Sequence, residues 1–159
     1  MPIRPSPPVE FQPPEGFPSH TLLPLLGRIF QEMTLRSIRK WNLQPNACIV
    51  LGHLHVEPHI AEPAEIAHAA RLPRQTTTFI LDTLEKQGLA QRKPHPSDRR
   101  RKIIQLTPKG KRLAQNVLDD MLRVETAAMG DMTDAETLSI RTLIHRYAVA
   151  LCEQNDRQP

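Results

Sequence analysis

The chain has 159 residues, of which 39% are apolar and only 4% aromatic, and its net charge is +4. This length allows one compact domain, and the modest apolar fraction indicates that a partner completes part of the core. No apolar run is long enough to span a bilayer, and the chain starts with prolines rather than a basic and then apolar stretch, so we expect a cytoplasmic protein with no membrane partner.

Residues 1–18 contain seven of the sixteen prolines and almost nothing that recurs at a regular period. This composition predicts a flexible or extended arm rather than a packed element. The alternative is an arm that wraps a second subunit, because an extended segment can lie across a partner.

Three helices are predicted next. Apolar residues recur at helical spacing over residues 20–41, with Pro24 in the first turn, where a missing N–H is tolerated. We assign residues 19–44 to an N-terminal dimerisation helix. The second helix is predicted over residues 45–56 and the third, the supporting helix of a DNA-binding unit, over residues 62–70. The apolar stripe of the first helix is Leu22, Leu26, Ile29 and Met33, broadened by Leu23 and Phe30.

A fourth helix is predicted to start at Pro73, which suits the first turn, and to end before Gly88, which suits the left-handed position after a helix. Phe79 lies on this helix, and the sequence leaves open whether it contacts thymine methyl groups or turns into the core. The predicted inward side is Thr77, Ile80, Leu81 and Leu84. The first turns carry polar side chains able to bond base edges, namely Arg74, Gln75, Thr76 and Thr78.

A hairpin follows the fourth helix. Residues 89–93 and 102–106 are rich in apolar and long side chains, which predicts two paired strands. Pro94 and Pro96 are expected to stop the pairing from extending. Thr107-Pro108 then provides an N-cap and a first-turn proline for a fifth helix.

Positive charge is concentrated on this hairpin. Residues 92–112 hold nine Lys or Arg and one acidic residue, a net charge of +8, so the rest of the chain sums to −4. Such polarisation is typical of a surface that binds a polyanion. A solvated basic loop is the plainer explanation, but the run follows a helix of recognition type, which favours nucleic acid. Helix, hairpin and helix form a winged helix-turn-helix, which we assign to residues 45–107 as the DNA-binding domain.

The remaining segment, residues 108–155, predicts two long helices, the second starting with a capping box of Thr133 and Glu136. No core-sized element remains to cover their apolar stripes within one chain. We therefore predict C-terminal dimerisation helices and a homodimer, with an intramolecular antiparallel pair as the alternative. The stripes are Leu113, Val117, Met121, Val124 and Ala128, and then Ile140, Ile144, Tyr147 and Leu151.

The segment LEKQGLAQRKPHPSDRRRKIIQLTPKGKRL, with Glu65-Ile66-Ala67 upstream, resembles the MarR family of bacterial winged-helix transcription regulators. The likeness spans about half of the chain. Its most specific part is Asp98-Arg99-Arg100 followed by Leu106-Thr107-Pro108-Lys109-Gly110. The resemblance implies a mainly α fold with a β-hairpin wing, a homodimer, and a pseudo-palindromic operator in double-stranded DNA.

The resemblance also implies roles within the wing. In the family an arginine enters the minor groove and is held by the aspartate two residues before it, and the matching residues here are Arg100 and Asp98. The remaining wing cations, Arg99, Arg101 and Lys102, are assigned to phosphate contacts.

A small aromatic effector, bound between the dimerisation helices and the winged domain, is a further implication of the resemblance. Such a ligand can shift the spacing of the recognition helices only by its differential affinity for the two states. The candidates to line this pocket are Met33, Trp41 and Tyr147, although an ordinary core position is the better explanation for each of them.

The sequence leaves metal and redox sensing as alternatives. His53, His55 and His59 lie beside Glu57, but residues 53 and 55 point to different sides of a helix, so surface histidines are the simpler explanation. Cys48 and Cys152 are far apart in sequence, and a sensor cysteine needs exposure and a stabilised thiolate. We therefore predict no cofactor and no metal site.

Three classes of function are distinguished. A ligand-responsive repressor that binds a near-palindromic duplex is favoured by the basic wing and its neighbouring helix. A winged-helix protein–protein interaction module is the main alternative, and it would lack salt-sensitive affinity for DNA. An enzyme is not expected, because the sequence has no Gly-rich phosphate loop, nucleophile elbow or metal-hydrolase spacing.

Overall fold

A computed structural model describes residues 15–16, 18, 21–59, 61–98 and 100–157. The predicted arm of residues 1–18 therefore lies almost entirely outside the described residues, as does Arg99. Within them the fold is mainly helical with one antiparallel hairpin, as predicted. The elements in order are α1 Leu23–Trp41, α2 Pro45–Val56, α3 Pro63–Ala69, α4 Arg74–Lys86, β1 Ala90–Pro94, β2 Lys102–Leu106, α5 Pro108–Ala128 and α6 Asp134–Asp156.

The chain divides into two compact units. Among the described residues, the first unit, which we call the winged unit, runs to residue 120 and contains α1 to β2 and the first part of α5. The second, the C-terminal unit, comprises residues 121–157 and contains the end of α5 and all of α6. The predicted boundary at residue 107 separates the DNA-binding domain from the dimerisation helices by function. It does not mark the edge of a compact unit, and it remains a prediction.

The core of the winged unit is built from α2, α3, α4 and β2. Each contributes apolar side chains that are almost completely buried, and the burial of Ile80, Leu81 and Leu84 confirms the inward side predicted for α4. Burying these side chains supplies most of the favourable free energy of folding. The most deeply buried are Val50, Leu51, Ile66, Leu81, Leu84 and Ile104, together with Thr77.

Local signals place the helix boundaries close to their predicted positions. Pro24 lies in the first turn of α1, as expected. Pro73 has extended backbone angles (φ −56°, ψ 143°) and is the N-cap of α4, so the prediction that it is the first helical residue was wrong by one position. Gly88 has a φ of +68° after α4, which confirms its predicted left-handed conformation.

The hairpin pairs Ala90 with Leu106 at one end and Pro94 with Lys102 at the other. The first strand therefore extends one residue further than predicted, to Pro94, and the pairing ends there, as expected. Both strands of a two-stranded sheet are edge strands, so a proline is tolerated where its nitrogen faces away from the partner. The outer side of β2 is also covered, because the Ile104 N–H donates to the carbonyl of Ala61 at 2.8 Å.

The junction between the hairpin and α5 is closely packed around Gly110. The Thr107 hydroxyl accepts a hydrogen bond from the Gly110 N–H at 3.0 Å and donates to the Gly88 carbonyl at 2.8 Å. A Cβ atom on Gly110 would lie 1.9 Å from the carbonyl oxygen of Leu89. Only glycine therefore fits at this position.

The middle of α5 is joined to α1 by a buried carboxylate. Asp120 accepts hydrogen bonds from Arg36 Nε at 2.8 Å and Nη2 at 2.7 Å, and it also pairs with Lys40. The Asp120 side chain is 3% exposed, whereas both cations remain partly in water. This arrangement satisfies a charge that would be unfavourable if it were buried alone.

In the C-terminal unit, α6 begins with the predicted capping box. The Thr133 N–H donates to Glu136 Oε2 at 2.8 Å, and the Glu136 N–H donates to the Thr133 hydroxyl at 3.3 Å. The hydrogen bonds that the Thr133 backbone N–H and then its hydroxyl donate to the carboxylate lower the pKa of Glu136. Among the described residues, no helix is long and apolar enough to cross a membrane.

Candidate nucleic-acid interface

The turn between α3 and α4 sets the direction of the predicted recognition helix. Arg71 adopts a left-handed conformation with a φ of +52°. The Arg71 N–H donates to the His68 carbonyl at 3.1 Å, and the Leu72 N–H donates to the Ala67 carbonyl at 2.9 Å. This pair of bonds is a Schellman motif, which ends α3 and turns the chain into α4. The two helices and their tight turn form a helix-turn-helix.

The first turns of α4 present polar side chains to solvent, as predicted. Arg74, Gln75 and Thr78 are exposed, and Thr76 is half-buried. The Thr78 hydroxyl donates to the Arg74 carbonyl at 2.9 Å, which leaves its oxygen available as an acceptor. Thr77 points the other way and is fully buried. The structure thus gathers the four predicted recognition residues at one end of one helix.

The tip of the wing is a tight turn organised by Asp98. The Asp98 Oδ1 atom accepts a hydrogen bond from the Arg100 backbone N–H at 2.9 Å, and the Asp98 carbonyl accepts one from the Arg101 N–H at 3.0 Å. The aspartate therefore fixes the backbone that carries Arg100, and the Arg100 side chain is exposed. Lys102 is also exposed at the start of β2. Arg99, the remaining predicted contact, lies outside the described residues.

Arg101 faces the body of the winged unit instead of extending freely into solvent. Its Nε donates to Glu62 Oε2 at 3.2 Å, and its Nη2 pairs with Glu62 Oε1. His95 Nε2 lies 3.7 Å from the same carboxylate. Hydrogen bonding to Glu62 raises the pKa of Arg101. The predicted phosphate contact of Arg101 is untested, but in the free protein this residue fastens the wing to the start of α3.

Arg92 connects the wing to α4 in a similar way. Its Nη2 donates to Asp82 Oδ1 at 2.7 Å, its Nη1 pairs with Glu85, and its backbone N–H donates to Glu85 Oε1 at 2.8 Å. The hydrogen bond that Arg92 donates to Asp82 is the main cause of the raised pKa of Arg92. Two acidic side chains on the predicted recognition helix are therefore paired with one cation from the wing.

Sequence reasoning missed these two connections. Arg92 was counted only as part of the basic run, and Glu62 only as the start of a helix. The available signal was the placement of acidic residues on α3 and α4, next to a hairpin rich in arginine. Their pairing depends on the distance between elements, which the sequence does not specify.

The side chain of Phe79 faces solvent. It is 74% exposed, so it does not contribute to the core.

The three candidate effector residues belong to different units. Met33 is exposed on α1, and Trp41 is half-buried at the end of that helix, where Lys40 Nζ lies 5.0 Å from the centre of its ring. Tyr147 is half-buried on α6 in the C-terminal unit. An effector pocket shared by the three residues remains a prediction.

The candidate sensor residues show no arrangement dedicated to sensing in the described part of the chain. Burial raises the pKa of the Cys48 thiol, and a hydrogen bond with Ser37 opposes the effect. Cys152 is half-buried on α6. His55 Nε2 lies 2.9 Å from Gln115 Oε1 on α5. Within the described ranges, no group of three His, Cys, Asp or Glu side chains is placed to hold a metal ion.

Together these features define a winged helix-turn-helix protein, in which a recognition-type helix and a cationic wing are joined by ion pairs. Comparison with known proteins indicates which family this region resembles. Residues 41–101 match the family model of the MarR family. Over this segment the chain is similar to that family.

Two curated relatives that match the chain are transcription regulators. The HTH-type transcriptional regulator PecS of Dickeya dadantii is 32% identical over 89 residues, which cover 56% of this chain and 54% of that protein. The HTH-type transcriptional repressor YetL of Bacillus subtilis is 31% identical over 78 residues, which cover 49% of this chain and 47% of that protein. The chain thus spans about half the length of the curated relatives it matches.

A solved structure extends the likeness to most of the fold. The crystal structure of a complex of Staphylococcus aureus MepR with DNA matches 82% of this chain and 98% of that chain, with a TM-score of 0.73 and 21% sequence identity. At this identity the comparison establishes the fold.

Proposed function

We propose that this chain is a sequence-specific transcription regulator that binds double-stranded DNA as a homodimer, and that it represses by occupying a pseudo-palindromic operator. The observation that carries the proposal is the joining of the wing to the helix-turn-helix. Arg92 bonds the wing to α4, and Arg101 bonds it to the residue that precedes α3. A rigid connection of this kind would allow the helix and the wing tip to contact one duplex together.

Each interface residue has a defined task in this proposal. Arg74 and Gln75 enter the major groove and form bidentate contacts with guanine and adenine edges. Thr76 and Thr78 bond phosphates or touch a thymine methyl group. Arg100, held by the Asp98 turn, enters the flanking minor groove, where a narrow groove attracts arginine. The phosphate contacts are assigned to Arg99, Arg101 and Lys102.

Dimerisation is supported by unpaired apolar surface on the terminal helices. So many exposed large apolar side chains are unusual in a monomer, and a second copy of the chain would cover them. Twofold symmetry would then match two half-sites about one helical turn apart. In the winged unit the exposed set on and before α1 is Leu22, Leu23, Ile29, Phe30, Met33 and Ile38. In the C-terminal unit it is Leu122, Met132, Leu138, Leu143, Ile144, Val149 and Leu151.

The proposal includes regulation by a small aromatic effector, which we infer from the resemblance to the MarR family. Met33, Trp41 and Tyr147 are the residues assigned to it. We also propose that the protein acts by binding rather than by catalysis, in the cytoplasm of a bacterium, where the operator lies.

Selection of bound duplexes from a random pool tests the proposal. The full chain is expected to select a near-palindromic sequence, and its affinity should fall steeply with salt concentration. Arg100→Ala should weaken binding broadly, lose preference at flanking A·T steps, and reduce the salt slope by about one. Gln75→Ala should relax the preference at one position per half-site while leaving the salt slope nearly unchanged.

Arg157→Ala is the matched control, because it removes the same charge from an exposed position after α6, outside the segments assigned to DNA binding and dimerisation. It should select the same sequence as the unaltered chain. A pool with no enriched sequence and no salt-dependent affinity would overturn the proposal and would favour a protein–protein interaction module.

A further inference from the structure

Phe79 is the most exposed large apolar side chain among the described residues. Among the described residues from 61 to 121, no other large apolar side chain is exposed. Single apolar residues on a protein surface are common and need no special explanation. The position of this one is what makes it informative.

Phe79 lies on the outer face of α4, four residues after Gln75. Residues four apart in a helix are stacked along one face, and long side chains lean toward the helix N-terminus. The ring therefore covers the turn that carries Gln75, on the side opposite the buried Ile80 and Leu81. On the far side of Phe79, the Asp82 carboxylate is already paired with Arg92.

The major groove offers an apolar side chain one distinctive partner. Thymine carries a 5-methyl group on the floor of this groove, whereas the other three bases present only hydrogen-bonding groups there. Four helical residues span about 6 Å, which is less than two base-pair steps of about 3.4 Å. A ring beside Gln75 is thus within reach of a methyl group close to the base that Gln75 contacts.

We propose that Phe79 is a specificity-determining residue that recognises the 5-methyl group of a pyrimidine, within two base pairs of the adenine contacted by Gln75. This inference rests on the proposed function, because it requires α4 to enter the major groove. Its physical basis is the removal of an exposed aromatic ring and a methyl group from water at the same time.

Single replacement of each thymine in the selected operator by deoxyuridine tests this inference, since the change removes only the methyl group. At one thymine per half-site, deoxyuridine should weaken binding of the unaltered chain by about tenfold. Phe79→Ala should bind the thymine and deoxyuridine duplexes equally, whereas Phe79→Leu should retain part of the difference. Replacing the thymine by cytosine and then by 5-methylcytosine should restore affinity only when residue 79 is apolar.

The Phe79→Ala protein is expected to fold normally, because an exposed ring leaves no cavity when it is removed, and its thermal midpoint serves as the check. Equal sensitivity to deoxyuridine in both proteins, or none in either, would overturn the inference and would assign the ring to a protein contact. A chain that selects no duplex at all would overturn the proposed function and this inference with it. The two failures are therefore distinguishable.

Discussion

The guanidinium of Arg101, at the base of the wing, is bound by the carboxylate of Glu62, the N-cap residue of α3, 39 positions earlier in the chain. The contact joins the two ends of the helix-turn-helix and hairpin region. Arg101, one of the wing cations, therefore holds the wing against the start of α3.

Loss of this ion pair should loosen the wing. In Glu62→Gln, the His95 N–H, which donates to the Arg101 carbonyl at 3.0 Å, is expected to exchange with deuterium several-fold faster, because the strand end is no longer held. Glu57→Gln, at the end of α2, is the control, because it removes the same charge from a residue outside the Glu62–Arg101 contact. Hydrogen exchange resolved by residue measures the effect, and unchanged protection in Glu62→Gln would show that the pair does not order the wing.

Arg92 is expected to matter for DNA binding through the acidic residues it covers. Arg92→Ala would leave Asp82 and Glu85 negatively charged on α4, so affinity for DNA should fall more than in Lys93→Ala, which removes the same charge from the next position. Fluorescence anisotropy at several salt concentrations measures both. Adding Asp82→Asn and Glu85→Gln to Arg92→Ala should recover much of the affinity, and an equal loss in the two single variants would contradict this account.

Gly110→Ala should be among the most destabilising single changes in the winged unit. The new Cβ would lie 1.9 Å from the Leu89 carbonyl oxygen, so backbone must shift, at a cost of about 3 kcal/mol or more. Gly52→Ala is the control, since its Cβ would meet only a Leu118 side-chain atom at 3.9 Å. Urea unfolding compares the two free energies of unfolding, and similar values would show that the junction after the wing can relax.

Asp120 and Asp119 are neighbours on α5 with very different surroundings. Removing the buried carboxylate in Asp120→Ala takes away the hydrogen bonds to Arg36 and Lys40 and should cost on the order of 3 kcal/mol. Asp119 is exposed and accepts one bond from Gln115, so Asp119→Ala should cost less than about 0.5 kcal/mol. Thermal unfolding of both variants tests this, and equal shifts would be inconsistent with a stabilising role for the buried group.

The Cys48 thiol should react slowly and should make stability depend on pH. Because burial raises its pKa in the folded state, its contribution to stability is complete below the thiol pKa of the unfolded chain and is lost as the pH rises through the folded value. Iodoacetamide is expected to label Cys152 several-fold faster than Cys48 in the native protein. The alkaline decline in stability should be smaller in Cys48→Ala, and an identical decline would show that another group is responsible.

The elements of this fold were largely determined by the sequence, because their signals are local. The spacing of apolar residues indicated the inward face of α4, and Gly88, Thr107 and Thr133 marked helix ends through the conformations and hydrogen bonds they favour. The wing was recognisable from its charge and its turn residues. Where local signals were incomplete, as at Pro73, the error was a few residues at most.

Only the tertiary structure decided which charges remain available. Nine basic residues of the hairpin region are equivalent in sequence, yet Arg92 and Arg101 are bound to carboxylates from α4 and the start of α3, whereas Arg100 is exposed on a turn fixed by Asp98. The exposure of Phe79 was settled in the same way. These outcomes depend on distances between elements far apart in the chain, and the pattern within any one element does not contain those distances.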